Sequence, residues 1–380
     1  MDDLTPVRWQ VRLLAAVVLI TLLLAMDWTA GYLTYHLGDY RDVNTGIFKI
    51  NSDPSRFRRQ DRDYHHGLAA KRVITDTWGK LHYTLATNSL GFKDSTPRDV
   101  PMQSAGPRLM FIGDSFTEGM GFPYEQTWVG LVGKALSTQG IEVLNGGVSS
   151  YCPKTVYYKT KALLEGGLQL SHIVFFIDIS DMDDEMLFND FVPANKDPDD
   201  TWAGRYVKTA YPPTLAQYSL MYRTFLRWQR QDPWRGKTIF TEPHTGERFL
   251  FDPRERGTWT RGQEPSWLQA AEESAAYYVT KLASLCAAHG IGFEIAIYPW
   301  PQDIQANDAQ SRYRTVWQRF SAEQHVGLYD LHDVFIPADP ALQRQILERD
   351  FIPGDAHWSA AGHQVVAVEW LRQYRQRNPN

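Results

Sequence analysis

A parallel α/β domain behind a membrane-directed N-terminal segment is the architecture this sequence predicts. Three observations carry the prediction. From residue 108 onward, short apolar strands alternate with helix-length stretches, the rhythm of successive βα units. One of these strands, 173–177 (IVFFI), is apolar throughout, as a strand covered on both faces must be. Near the N-terminus, residues 13–26 (LLAAVVLITLLLAM) form an uncharged run of 14 residues.

Residues 1–36 form the targeting segment. As a helix the 14-residue run measures about 21 Å, short of a hydrocarbon core about 30 Å thick. Asp27 interrupts it, but 28–35 is uncharged again, and Trp28, Tyr32 and Tyr35 have the amphipathic rings found at membrane interfaces. Arg8 and Arg12 precede the run, which leaves the N-terminus in the cytoplasm and the rest outside it, in a bacterial periplasm. An uncleaved anchor is the favoured reading. A signal peptide cleaved near Thr29-Ala30-Gly31 competes with it.

Residues 37–106 are polar and lack a long periodic helix. They read as a lead-in packed on the core, with short strands around 78–83 and 88–92 and a linker over 97–107. The main domain, 107–380, offers strands at 108–112, 141–144, 173–177, 292–298 and 327–331. Helices fall at about 124–138, 153–165, 267–289, 309–322 and 359–376. Pro153 suits a first helical turn, Gly290 a helix stop, and Ser359 an N-cap. Between about 185 and 262 the rhythm breaks in a stretch rich in Pro, Asp, Trp and Arg, which reads as an insertion or cap over the sheet edge.

Composition narrows the function classes. With 43% hydrophobic and 22% charged residues the chain is ordinary globular protein. Against 39 basic side chains stand 44 acidic ones, so no basic field holds nucleic acid by its phosphates. Only Cys152 and Cys286 are present, too few for a disulfide scaffold or a cysteine-built zinc site.

The first predicted strand of the domain runs into Gly113-Asp114-Ser115. The carboxyl end of a parallel strand is where an open α/β sheet places reactive groups, although Gly-Asp-Ser by itself is also a plain strand-to-helix turn. Near the C-terminus, Asp355 stands two residues before His357, in a loop leading to the last helix. A carboxylate there can orient the imidazole and leave its other nitrogen to take a serine proton. Both loops open on the same sheet edge, and the chain order is Ser, Asp, His.

With these residues the chain resembles the SGNH (GDSL) hydrolase family, over about 108–181 and 285–374. The blocks are Gly113-Asp114-Ser115, then Asn145-Gly146-Gly147-Val148, then Asp355 and His357 with the following Ser-Ala-Ala-Gly-His. The resemblance implies a three-layer α/β/α sandwich around a five-stranded parallel, flavodoxin-like sheet. It implies Ser115 as nucleophile, His357 as general base and then acid, and Asp355 as its orienter. An oxyanion hole would come from the Ser115 and Gly147 N–H groups plus one side chain. It calls for no cofactor and no metal.

Two departures stand out. Where the family offers Gly-x-Asn-Asp, this chain has Asp178-Ile179-Ser180-Asp181, so Ser180 takes the place of the oxyanion-binding Asn, either as a shorter donor or as a structural residue. Asp178, if ionised, would repel an oxyanion. Gly354 occupies the usual acid position, leaving Asp355 as the adjacent carboxylate and Asp350 as a fallback. Asp114 and Asp181 are read as supporting residues that hold the two loops. His363 is read as packing or surface, His65-His66 as lacking a ligand spacing, and Cys152 as an inert small side chain near Gly147. Trp202, Trp228, Trp234 and Trp259 are assigned to core packing ahead of sugar stacking. Gly-x-Ser-x-Gly, His-Glu-x-x-His, a P-loop and Gly-x-Gly-x-x-Gly are absent.

The expected chemistry is acyl transfer through an acyl-serine, to water (esterase) or to a sugar hydroxyl (O-acyltransferase). An anchor followed by such a domain is similar to proteins that modify exported polysaccharides, including those of alginate-type acetylation. The substrate expected is thus an acyl ester or acylated cell-envelope glycan, and a membrane-bound O-acyltransferase is the partner that resemblance implies. A non-catalytic glycan-binding or assembly component is the alternative.

Overall fold

Strands that must hide both faces build the centre of the larger unit. The computed structural model describes residues 5–36, 58–210, 218–228, 238–252, 255–262 and 264–378. The chain divides into two units, Asn51–Tyr206 with Glu255–Asn380, and Met1–Ile50 with Val207–Arg254.

In the larger unit eight strands form one mixed sheet: β1 (Val73–Trp78), β2 (Leu81–Thr87), β3 (Lys93–Asp94), β4 (Arg108–Gly113), β5 (Glu142–Asn145), β6 (His172–Phe176), β7 (Gly292–Ile297) and β8 (Gly327–Asp330). The order is β8-β7-β6-β4-β5-β3-β2-β1. The first five in that order run parallel. The other three are antiparallel additions from the lead-in. The sheet therefore has eight strands where five were expected, because the polar lead-in is itself sheet. Every residue of β4 is buried, as befits the central strand of a doubly wound sheet. Phe111, Trp128, Phe176 and Trp370 fill one side of it.

Strand order reverses between β4 and β6, so the loops that follow these two strands part there and open a crevice at their carboxyl ends. Gly113, the last residue of β4, can only be glycine: an added Cβ would lie 2.5 Å from Thr117 Oγ1 and 2.6 Å from the Phe176 carbonyl oxygen.

Helix Pro153–Glu165 keeps its expected bounds. Leu268–Ala288 and Ala360–Arg377 fall within a residue or so of theirs, the latter capped by the Ser359 hydroxyl on Gly362 N–H. In the lead-in, the strand expected at 78–83 straddles the β1–β2 turn, where Gly79 takes a positive φ of 58°. Expected strand 88–92 is a loop instead. Asn88 Oδ1 accepts from the N–H groups of Leu90 and Phe92 and replaces a strand partner. Helices Asp181–Leu187 and Pro340–Asp350 were not anticipated; the first ends just inside the stretch expected as an insertion.

The smaller unit contains helix Thr5–His36, helix Leu220–Trp228 and a three-stranded antiparallel sheet of Val207–Ala210, Thr238–Thr241 and Arg248–Phe251. Met221 N–H donates to Asp27 Oδ1 at 2.7 Å, which absorbs the one acid in the apolar helix. The segment expected as an insertion over 185–262 is thus shared: Val207–Arg254 belongs here and its flanks to the larger unit. Arg8–Leu33, 26 residues with mean hydropathy 2.2, is long and apolar enough to cross a membrane. At 1.5 Å per residue it measures about 39 Å, longer than the 14-residue run implied, because the helix continues through Asp27.

Candidate active site

The turn that carries Ser115 follows from its sequence. Asp114 caps helix Ser115–Glu118, accepting from Phe116 N–H at 2.9 Å, and so aims Ser115 out of the end of β4. Glu118, fully buried, accepts from Ser149 N–H at 2.7 Å and ties the turn to the loop after β5.

The loop carrying His357 closes on itself. Ile352 N–H donates to the His357 carbonyl, Asp355 N–H to the Ile352 carbonyl, and Gly354 supplies a φ of 77°. That tight turn puts the Asp355 carboxylate beside the imidazole of the residue two positions on. His357 Nδ1–H donates to Asp355 Oδ1 at 2.5 Å, and Ser115 Oγ donates to His357 Nε2 at 2.7 Å. The tautomer is assigned from these partners. Phe116 stacks on the imidazole with centroids 4.5 Å apart, and Trp78 meets it edge-on at 4.8 Å. Asp350, the fallback acid, is held by Arg349.

Trp78 is the contribution that sequence reasoning missed. Its indole N–H donates to Asp355 Oδ2 at 2.8 Å, so the lead-in completes the orientation of the acid. Burial acts to raise the Asp355 pKa, but the His357 ring, its charge, its N–H and the indole outweigh it and bring the pKa down to about 2. Trp78→Phe removes one of the lowering bonds, so the Asp355 pKa rises. We expect the acid limb of the pH–rate profile to move upward, and kcat/KM to fall on the order of tenfold, as when other outer partners of reactive groups are lost; a pH series on the variant checks both. Lys93 of β3 adds a second tie from the lead-in, donating to the carbonyls of Gly119 and Phe122 at 2.7 and 2.6 Å.

The three expected oxyanion donors fare differently. Ser115 N–H, at the start of its helix, has no acceptor among the described residues. Gly147 N–H donates to Asn145 Oδ1 at 3.0 Å. A Cβ on Gly147 would lie 2.5 Å from Glu118 N, so the loop must pass this close to the Ser115 turn. Ser180 departs from expectation. Its one hydroxyl proton goes to Asp178 Oδ1 at 2.5 Å, and its N–H goes to the same oxygen at 2.8 Å. The side chains at 178 and 180 are thus coupled: the Asp178 carboxylate captures the Ser180 hydroxyl. Ser180→Ala should therefore change kcat less than about threefold, against the 10²–10³ that loss of a true oxyanion donor costs; steady-state kinetics decides.

Asp178 also accepts from Trp300 Nε1 at 2.7 Å. Asp181 accepts from Asp178 N–H at 3.0 Å and so holds the loop after β6. His363 is buried and accepts from Trp128 N–H at 3.2 Å. Burial, with the Lys93 and His357 charges behind it, lowers its pKa to about 3, so it packs as a neutral ring. His66 Nε2 lies 2.9 Å from the Ser149 carbonyl, and its Nδ1 lies 2.7 Å from that of His65, which makes the pair part of the loop's support. Cys152 and Cys286 are both buried free thiols. Trp202 and Trp259 are buried; Trp234 and the Trp228 side chain lie outside the described residues.

No protein-family profile matches the chain, and no curated protein matches it. Solved structures similar to it include a lipolytic protein of the G-D-S-L family from Desulfitobacterium hafniense DCB-2, at 14% identity over 70% of this chain and 99% of that one, with a TM-score of 0.38. A G-D-S-L family lipolytic protein from Veillonella parvula is 12% identical over 70% of this chain and 97% of that one, with a TM-score of 0.38. An acetylxylan esterase from Geobacillus stearothermophilus, a catalytic mutant, is 14% identical over 72% of this chain and 95% of that one, with a TM-score of 0.37.

Proposed function

We propose that this protein is a serine acyl-ester hydrolase or O-acyltransferase of SGNH type, held outside the cytoplasm by its N-terminal helix. The reading is carried by one observation: hydroxyl, imidazole and carboxylate of Ser115, His357 and Asp355 stand in an unbroken hydrogen-bonded line. His357 takes the Ser115 proton as Oγ attacks an ester carbonyl, then returns it to the departing alcohol. Asp355 keeps the imidazole in the required tautomer and stabilises the imidazolium. The acyl-serine is resolved when His357 takes a proton from water or from a sugar hydroxyl.

A cell-envelope glycan as acyl donor or acceptor, a bacterial periplasm as the location, and a membrane-bound O-acyltransferase as the partner rest on the sequence resemblance and the apolar helix. Incubating the full-length protein with an acetyl ester and candidate envelope glycans tests the reaction. Acetate on sugar marks a transferase and free acetate an esterase.

One observation favours the alternative, a non-catalytic glycan-binding or assembly component. Two of the three oxyanion donors are turned to acceptors within the protein, Gly147 N–H to Asn145 and Ser180 to Asp178. A folded wild type that binds glycan and turns over no acyl ester would establish that reading in place of the first.

A further inference from the structure

Behind the nucleophile lies a feature that the catalytic line does not use. Carboxylate oxygens of Asp114, Asp178 and Asp181 lie within 4.8 Å of one another, and all three residues are buried. The groups facing them add little positive charge. From the following helix comes Asp184, and from the end of β7 and helix Arg312–Gln324 come Tyr298 and Tyr313, whose hydroxyls feel the same acids. Arg256 is the cation among them, and it is engaged by Asp184 at 2.9 Å and by the charge of Asp183. On the open side stands His357, which the mechanism already employs.

Three carboxylates this close do not all stay ionised without compensation. The partners show where compensation fits. Asp178 has three donors on its two oxygens: Ser180 N–H, Ser180 Oγ–H and Trp300 Nε1–H. Asp114 has Phe116 N–H on one oxygen and Ser115 Oγ at 3.2 Å from the other. Asp181 has Asp178 N–H on one oxygen, and its Oδ1 is buried with no partner. With the Ser115 proton on His357, donors occupy four of the six oxygens, leaving Asp114 Oδ2 and Asp181 Oδ1. A divalent cation asks for about six or more oxygen ligands, whereas a proton needs one open oxygen and one neighbour.

The contact at 3.2 Å gives this consequence for the reaction. Ser115 has one hydroxyl proton and two acceptors in reach, His357 Nε2 and Asp114 Oδ2. A full carboxylate at Asp114 competes for that proton and opposes negative charge on Oγ. We infer that Asp114 and Asp181 share one proton at neutral pH, so that a singly charged pair backs the nucleophile and leaves the Ser115 proton to His357. Burial, with the neighbouring carboxylates behind it, pushes both pKa values upward, as such sharing requires. Asp114 and Asp181 are then positioning residues acting through Ser115, a role that rests on the serine-ester reading above.

Asp181→Asn tests this, because the amide is a permanent donor without charge and still accepts from Asp178 N–H. An acid whose pKa is raised on folding binds more protons folded than unfolded, so it lowers stability as pH rises. Asp181→Asn should therefore raise the thermal midpoint relative to wild type at pH 8–9, with the gain shrinking toward pH 4–5. It should also move the alkaline fall of kcat/KM up by about one pH unit or more, with the same shift in the pH profile of fluorophosphonate labelling. Asp114→Asn should move the alkaline fall in the same direction. A stability difference independent of pH, an alkaline limb that neither variant moves, or one equivalent of divalent cation bound to the purified wild type would overturn the inference. If the wild type shows neither turnover nor labelling, the serine-ester reading fails, and the stability series still decides the shared proton.

Discussion

With Ser115 as the nucleophile of the proposed ester chemistry, Ser115→Ala is expected to lower ester turnover by at least about 10⁴-fold while leaving the thermal midpoint close to that of the wild type. The size follows from the site's logic, since without the hydroxyl no acyl-enzyme forms and only binding and the remaining donors act on the substrate. The fold is spared because Ser115 contributes a cap-adjacent hydroxyl and little packing. Its two side-chain partners, His357 and Asp114, keep the bonds that fix them through Asp355 and Phe116 N–H. Turnover assays beside a melting curve check both halves. Activity within tenfold of wild type would mean that chemistry runs elsewhere in the molecule.

On the same proposed chemistry His357→Ala is expected to cost at least about 10³-fold, because nucleophile and base would act as one unit. Here the structural cost is larger. The imidazole lies between Phe116 and Trp78, and its loss leaves Asp355 with the indole and one N–H as donors. We therefore expect a modestly lower melting point together with the kinetic loss. The double variant Ser115→Ala/His357→Ala should be scarcely slower than either single one, and additive losses would show that the two groups do not work together.

Much of this was legible in the sequence, for identifiable reasons. Apolar strands such as 173–177 and the Ser359 cap mark βα units through local rules, and Gly113-Asp114-Ser115 and Asp355-x-His357 lie at positions that a parallel sheet brings to one edge. What escaped reading depends on long-range partners. The lead-in is polar because much of its surface is exposed, as β1 alternates between exposed and half-buried residues, so short strands are legible there but their pairing onto the main sheet and the partner of the indole are not. Trp78 reaches Asp355 across 277 positions of sequence. The sequence leaves Ser180 open as a short oxyanion donor or a structural residue, since it does not show where the hydroxyl of residue 180 points. Only the fold shows that Asp178, two residues away, takes its proton. In the sequence Asp27 reads as an interruption of the apolar helix, whereas Met221 N–H donates to its carboxylate and the helix continues.

The most direct test of the central claim is covalent. The full-length protein is treated with a fluorophosphonate, digested, and the adduct mapped by mass spectrometry. The account predicts one modified residue, Ser115, with labelling lost in Ser115→Ala and strongly slowed in His357→Ala. A folded protein that takes no label, or takes it at another serine, would contradict it.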